Sequence, residues 1–157
     1  MTRIMALIDF SQVTPAVVRM ARDMARAFAA ELLLVHVVES ECEPMEKGPE
    51  DLAPAAVANR CHKREMEIIS VALKKEGVNA SVRILEAISP GQTIVGKILH
   101  EIGEVKPQVV VIGSHGHGRL HQLVAGSVSD TIMRKACCPV LLVPSRMVET
   151  GRPKPNP

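Results

Sequence analysis

Three glycines and two serines carry most of the chemistry this sequence offers. Gly113, Gly116 and Gly126, with Ser127 and Ser129, follow a short apolar run from Val109 to Ile112 and lead into a stretch of helical periodicity. Glycine lets the main chain take positive φ and approach a ligand closely, so that consecutive amides can converge on an anion. Gly126, Ser127, Val128 and Ser129 open the predicted helix, whose unpaired N–H groups and positive dipole end favour negative charge by about 0.3–1 kcal/mol per interaction. The hydroxyls of Ser127 and Ser129 add donors, and phosphate is the natural ligand for such a set. Asp9, which ends the first apolar run, is a further candidate: it binds the ligand or it caps the turn into the first helix, a position where Asp is strongly preferred. Taken alone, the glycines are equally explained by a tight connection and Ser127 by a helix cap. The connection, however, is about a dozen residues long against the roughly 2–6 usual for βα units, and long loops are often functional.

The elements that must position these residues alternate along the chain. Ile4 to Ile8 is a continuous apolar run suited to a strand covered on both faces. Thr14 as N-cap and Pro15 at the first helical position begin a helix with apolar residues at Val17, Met20, Ala21, Met24 and Phe28. Leu32 to Val38 is a second strand and completes a βαβ unit, whose crossover is expected to be right-handed and whose strands parallel. Glu39 to Asp51, with six acids against Lys47, reads as a solvated loop. A helix from about Leu52 to Glu76 offers Cys61, Ile68, Ile69, Ala72 and Leu73 for packing and stops at Gly77. Ala80, Val82 and Ile84 alternate with Ser81 and Arg83, as in an edge strand. A third helix carries Ile94, Val95, Ile98, Leu99 and Ile102 and is expected to end near Gly103. Val109 to Ile112, Ser127 to Ala136 with Val128, Ile132 and Met133 inward, and Val140 to Val143 complete the series. Five strands interleaved with four helices predict an open parallel sheet with helices on both faces, a Rossmann-like α/β architecture. In such a fold ligands bind beyond the carboxyl ends of the strands, where both Asp9 and the glycine loop lie.

Composition narrows the partners. The chain has 157 residues, 46% of them hydrophobic, enough for one domain with a substantial core. Nineteen basic and 17 acidic residues give a formal charge of +2, and Phe10 and Phe28 are the only aromatics besides histidine. That offers neither the basic footprint nor the stacking platforms nucleic acid requires. No apolar run approaches the roughly 18 residues of a membrane helix, and Met1 to Ile8 lacks a signal peptide's extended apolar region and cleavage site, so a cytoplasmic protein is expected. Cys42, Cys61, Cys137 and Cys138 show no CxxC spacing and read as reduced thiols.

The pattern Gly113-x2-Gly116-x9-Gly126-Ser127, with its flanking strands, resembles the nucleotide-binding signature of the universal stress protein family. The likeness runs from Ile4 and Asp9 through Val35-His36-Val37 to Pro144. It implies strand order 3-2-1-4-5 in a domain over 1–146, while Gly151 to Pro157, with Pro153, Pro155 and Pro157, reads as an unpacked tail, so 147–157 is expected to be flexible. It also implies a homodimer that binds ATP or another adenine nucleotide and responds to stress as a sensor or regulator. Carried over by position, Asp9 and the backbone of Val37 face the nucleoside, Gly113 and Gly116 the ribose and phosphates, and Gly126, Ser127, Val128 and Ser129 the phosphate chain. Any Mg²⁺ or Mn²⁺ is expected on the phosphates, with no dedicated protein metal ligands. Leu7 and Ile8 depart from the small, proline or threonine residues often found before the aspartate in this family. The alternatives are a slow ATP hydrolase or phosphotransfer enzyme and a nucleotide-free module that docks a protein client; only the phosphate cradle of an efficient phosphoryl-transfer site is visible.

Other motifs have plainer explanations. Gly91-x4-Gly96-Lys97 imitates a phosphate loop, but Ile98 stands where Ser or Thr should meet magnesium, and its apolar residues follow a helical period. His115, His117 and His121 lack an acidic or cysteine partner and are read, with Arg119, as solvated or phosphate-contacting. His36 is expected to be a hydrogen-bonded core histidine. Cys137 and Cys138 are expected to be buried and inert. Val140 to Val143 forms an apolar last strand with no Lys or internal Pro, and a strand at a sheet edge tends to acquire a partner; a two-fold dimer through this strand is expected.

Overall fold

The computed structural model describes residues 2–39, 54–87, 93–114 and 128–144. The elements follow the alternation read from the sequence: β1 Arg3–Leu7, α1 Thr14–Ala27, β2 Glu31–Glu39, α2 Pro54–Lys75, β3 Ala80–Ala87, α3 Ile94–Val105, β4 Val109–Gly113, α4 Val128–Lys135 and β5 Val140–Val143. The acidic loop beyond Glu39, Leu52, Cys42 and the tail over 147–157 lie outside the described residues.

The five strands form one parallel sheet of order β3-β2-β1-β4-β5. Right-handed crossovers account for the layering. The chain steps outward from β1 to β2 to β3, which places α1 and α2 on one face, then returns past β1 to β4 and β5, which places α3 and α4 on the other. Each face has its own core. Val13, Val17, Ala21, Met66 and Leu73 pack on Ile4, Ala6, Leu32 and Val111. Ile98, Ile102, Val128 and Ile132 pack on Met5, Leu33, Val35 and Val110. Because alternate residues of β1 and β4 serve opposite cores, both strands read as unbroken apolar runs.

Several local expectations are corrected. Thr14 is the first helical residue of α1, Val13 holds the N-cap position, and no side chain caps it. α3 continues through Gly103 to Val105, where Lys106 turns left-handed at φ 49° and donates its N–H to Ile102 O; Pro107 then prevents continuation. Met133 points outward with 42% of its surface exposed, as do Ile68 and Phe28, and Cys61 and Ala72 are exposed on α2. Helix α2 packs instead through Met66, Ile69, Ser70 and Leu73, a tighter stripe at spacings of three and four. Gly77 does end α2, at φ +81°. No helix among the described residues is long and apolar enough to cross a membrane.

Candidate functional site

The strand order reverses between β1 and β4, and the carboxyl ends of these strands carry the candidate residues. Leu7 pairs with Val35 and Ala6 with Val111. Continuing both registers by two or three residues sets Asp9 level with Val37 of β2 on one side and with Ser114 after β4 on the other. This rim is the crevice where open α/β sheets bind ligands.

Asp9 organises the turn that leads out of β1. Its Oδ1 accepts hydrogen bonds from the amide of Ser11 at 3.0 Å and from Thr14 Oγ1 at 3.2 Å. The carboxylate thus ties the turn to the first turn of α1, the local role Asp favours. Between these partners Phe10 holds φ 57°, a left-handed conformation that costs a residue with a Cβ about 1–2 kcal/mol. Its ring stacks on His62 of α2 at 4.4 Å and meets His36 of β2 edge-on at 4.9 Å. The aromatic contacts hold Phe10 in a conformation its backbone alone would avoid.

His36 is the hydrogen-bonded core histidine expected from its place in an apolar strand. Its Nδ1 lies 2.7 Å from Ile8 O and its Nε2 lies 3.2 Å from His62 Nδ1. Burial lowers the ring's affinity for a proton below the ordinary histidine range, reinforced by His62 and opposed by the Ile8 carbonyl and Asp9. Val37, the next residue, turns to the opposite face and packs beside the α3/α4 core.

At the end of β4 the space that Gly113 leaves is taken by α1. A Cβ built there would stand 3.1 Å from Val13 Cγ1 and 3.3 Å from Val13 Cβ. Among the described glycines only Gly77 takes positive φ, so Gly113 serves close packing of the helix rather than a left-handed turn. Ser114 donates its amide to Val143 O at 2.8 Å, and Ser129 Oγ donates to Ser114 O at 3.3 Å. This second bond fastens the first turn of α4 to the end of β4. Asp130, also in that turn, pairs with Arg134 four residues on, which balances a carboxylate otherwise unfavourable to an incoming anion. Asp9, Val37, Gly113, Val128 and Ser129 therefore come together at one end of the sheet. Gly116, Gly126 and Ser127, with His115, His117, Arg119 and His121, lie outside the described residues.

The Gly96-Lys97 part of the sequence that imitates a phosphate loop lies in a helix start. Thr93 Oγ1 accepts the amide of Gly96 at 3.0 Å as the N-cap of α3, so that amide serves the helix; Gly91 lies outside the described residues. Cys61, Cys137 and Cys138 are free thiols. Cys137 is exposed, contrary to the buried position expected of it, because it lies in the short connection between α4 and β5. Cys138 is half-buried, and burial, with a smaller contribution from Cys137, pushes its thiol up and away from the reactive thiolate.

The sequence reading missed the partnership of Phe10, His36 and His62. The only signals were a histidine in an apolar strand and another on a predicted helix 26 residues away.

Residues 1–144 match the family model described as the universal stress protein family. Universal stress protein A homolog 1 of Coxiella burnetii is 31% identical over 145 residues, covering 89% of this chain and 94% of the relative. A universal stress protein of Archaeoglobus fulgidus, solved in complex with dAMP, aligns with TM-score 0.64 at 21% identity, covering 90% of this chain and 97% of that one. A universal stress protein family member of Arabidopsis thaliana, solved with AMP bound, aligns with TM-score 0.64 at 19% identity and 92% coverage of both chains.

Proposed function

This chain belongs to the universal stress protein family, and from that premise we propose that it binds an adenine nucleotide, ATP in the first instance, at the carboxyl ends of β1 and β4. The observation that carries the reading is the convergence of Asp9, Val37 and the start of α4 on one rim at the strand-order reversal. Relatives of the same fold have been solved with AMP and with dAMP, which supports an adenine nucleotide as the ligand class. Asp9 and the backbone of Val37 hold the nucleoside. Gly113, Gly116, Gly126, Ser127, Val128 and Ser129 surround the ribose and phosphates, with any Mg²⁺ or Mn²⁺ carried by the phosphates. The site fits that group: a helix N-terminus suits an anion, Ser129 Oγ, which donates to Ser114 O, fastens that terminus to the end of β4, and the acid in the first turn of α4 is already paired with Arg134.

The protein acts as a homodimeric nucleotide-responsive sensor or regulator rather than as an efficient enzyme. The dimer contact is β5, which pairs only with β4 among the described residues. Val110 donates to Pro139 O and Ser114 to Val143 O, so on the period of two the main-chain groups of Val140 and Leu142 face the open edge. Two such edges related by a two-fold axis pair and close, which leaves no strand for further growth. Denaturing freshly purified protein and identifying released nucleotide by chromatography tests the binding. A timed assay with excess ATP and Mg²⁺ separates retention from turnover. Adenine nucleotide released without turnover supports the reading, and protein that neither retains nor takes up adenine nucleotide refutes it.

A further inference from the structure

The main chain that carries Asp9 is fastened on both sides but not between. Ile8 donates its amide to Val35 O at 2.8 Å, where the hold of the sheet ends, and Ser11 O accepts the amide of Thr14 at 3.0 Å, where the hold of α1 begins. Among the described residues no hydrogen bond joins the main chain of Asp9 or Phe10 to other main chain. The torsions of these two residues therefore set the course of the turn, and Phe10 takes a costly one, φ 57°. In that conformation the Ser11 amide returns to Asp9 Oδ1 at 3.0 Å, and Thr14 Oγ1 meets the same oxygen at 3.2 Å.

Two walls confine the Phe10 ring. His62 of α2 stacks on it with centroids 4.4 Å and planes 14° apart, and His36 of β2 meets it edge-on at 4.9 Å and 75°. The His36 ring is buried and anchored by the 2.7 Å contact of its Nδ1 with Ile8 O, and the two histidine rings meet each other at 4.9 Å. A change of φ turns the side chain and the following peptide together about the N–Cα bond. Phe10 cannot relax to a negative φ without drawing its ring from this slot.

We propose that Phe10 is a positioning residue: its ring, held between His62 and His36, locks the left-handed turn that keeps the Asp9 carboxylate in place for the ligand. The effect on ligand affinity rests on the nucleotide reading, whereas the lock on the turn does not. The cost of positive φ separates this role from simple packing. Ala, Asn and Gly in place of Phe10 all remove the ring, but Ala resists positive φ, Asn tolerates it and Gly adopts it about as readily as the negative value. Without the ring, Ala leaves the turn mostly relaxed, and a ligand that needs the left-handed form must draw it from a minor population. A residue that only fills space would give the same loss in all three.

The test is calorimetric ATP titration of the full chain and of Phe10→Ala, Phe10→Asn and Phe10→Gly, with NMR hydrogen exchange of the Ser11 amide in each ligand-free protein. Phe10→Ala should weaken ATP binding about tenfold, while Phe10→Asn and Phe10→Gly should stay within about threefold of wild type, although all three lose the ring contacts. The Ser11 amide should lose its protection from exchange in Phe10→Ala and keep it in Phe10→Asn. His62→Ala removes one wall and leaves Phe10; it should weaken binding about threefold or more in the wild-type background and have no further effect in the Phe10→Gly background. That pair reads the lock where Phe10→Ala fails to fold. Equal affinities in the three variants at position 10, or a His62→Ala loss that persists undiminished in the Phe10→Gly background, would overturn the proposal. Failure of the wild-type chain to bind ATP contradicts the nucleotide reading, and the Ser11 amide then decides the lock: protection lost in Phe10→Ala and kept in Phe10→Asn supports it, and equal protection in the two overturns it.

Discussion

At the scale of single residues, Gly113 and His36 show how much a side chain, or its absence, depends on what stands opposite. Gly113→Ala sets a methyl 3.1 Å from Val13 Cγ1, so α1 must move away or the Val13 rotamer must change. Overpacking of this kind costs about 1–3 kcal/mol, partly offset by the stiffer unfolded chain. Urea unfolding should show a net loss near 1 kcal/mol, and an unchanged midpoint would mean that α1 yields freely. His36 has its proton affinity lowered on folding, so below pH 6.5 the unfolded chain binds more protons than the folded one. Stability is then fully present above about pH 6.5 and is lost as the pH falls through the lower folded value. His36→Asn should flatten that part of the stability profile; an equally steep loss in the variant would place the acid sensitivity elsewhere. The glycine pattern was legible in the sequence because spacing is a property of the chain. The reason for Gly113 was not, because its contact, Val13, lies a hundred residues away on another element. The same distance hid the pairing of His36 with His62.

Between elements, the sheet and the helices are held by stripes that hydrophobic periodicity predicts and by a few polar ties that it does not. The five strands and four helices were readable because β1, β2 and β4 are apolar on both faces and the helices on one. Boundaries were less so: α1 begins without a side-chain cap, and α3 passes through Gly103 because its stop lies at Lys106 and Pro107. The inward set of α4 was misjudged at Met133, where an eight-residue helix against a short edge strand buries only Val128, Ser129 and Ile132. One polar tie joins β3 to α3, the ion pair of Arg83 with the buried Glu101. Arg83→Met leaves that carboxylate without its cation and should cost about 1.5–3 kcal/mol in chemical denaturation. Adding Glu101→Leu should recover most of the loss. A double variant as unstable as the single one would show that the charge pair was not the source. Ile102 of α3 is fully buried, and Ile102→Ala should cost about 2–5 kcal/mol by the same measurement.

For the whole molecule, the order β3-β2-β1-β4-β5 creates a single reversal of direction, and every candidate ligand residue within the described part of the chain lies at it. Among the described residues the same order leaves β5 with an open side, so the proposed ligand site and the proposed dimer edge follow from one topology. Sedimentation at micromolar concentration should give a dimer, and a monomer there would remove β5 as the contact. The central proposal is that the carboxyl end of the sheet binds an adenine nucleotide. Calorimetric titration of the nucleotide-free protein with ATP, in parallel with Gly126→Val, tests it most directly. Saturable binding of one ATP per chain, lost in a variant that keeps the wild-type melting transition, is the predicted result. Absence of ATP binding by the wild-type chain, or equal affinity in Gly126→Val, would contradict it.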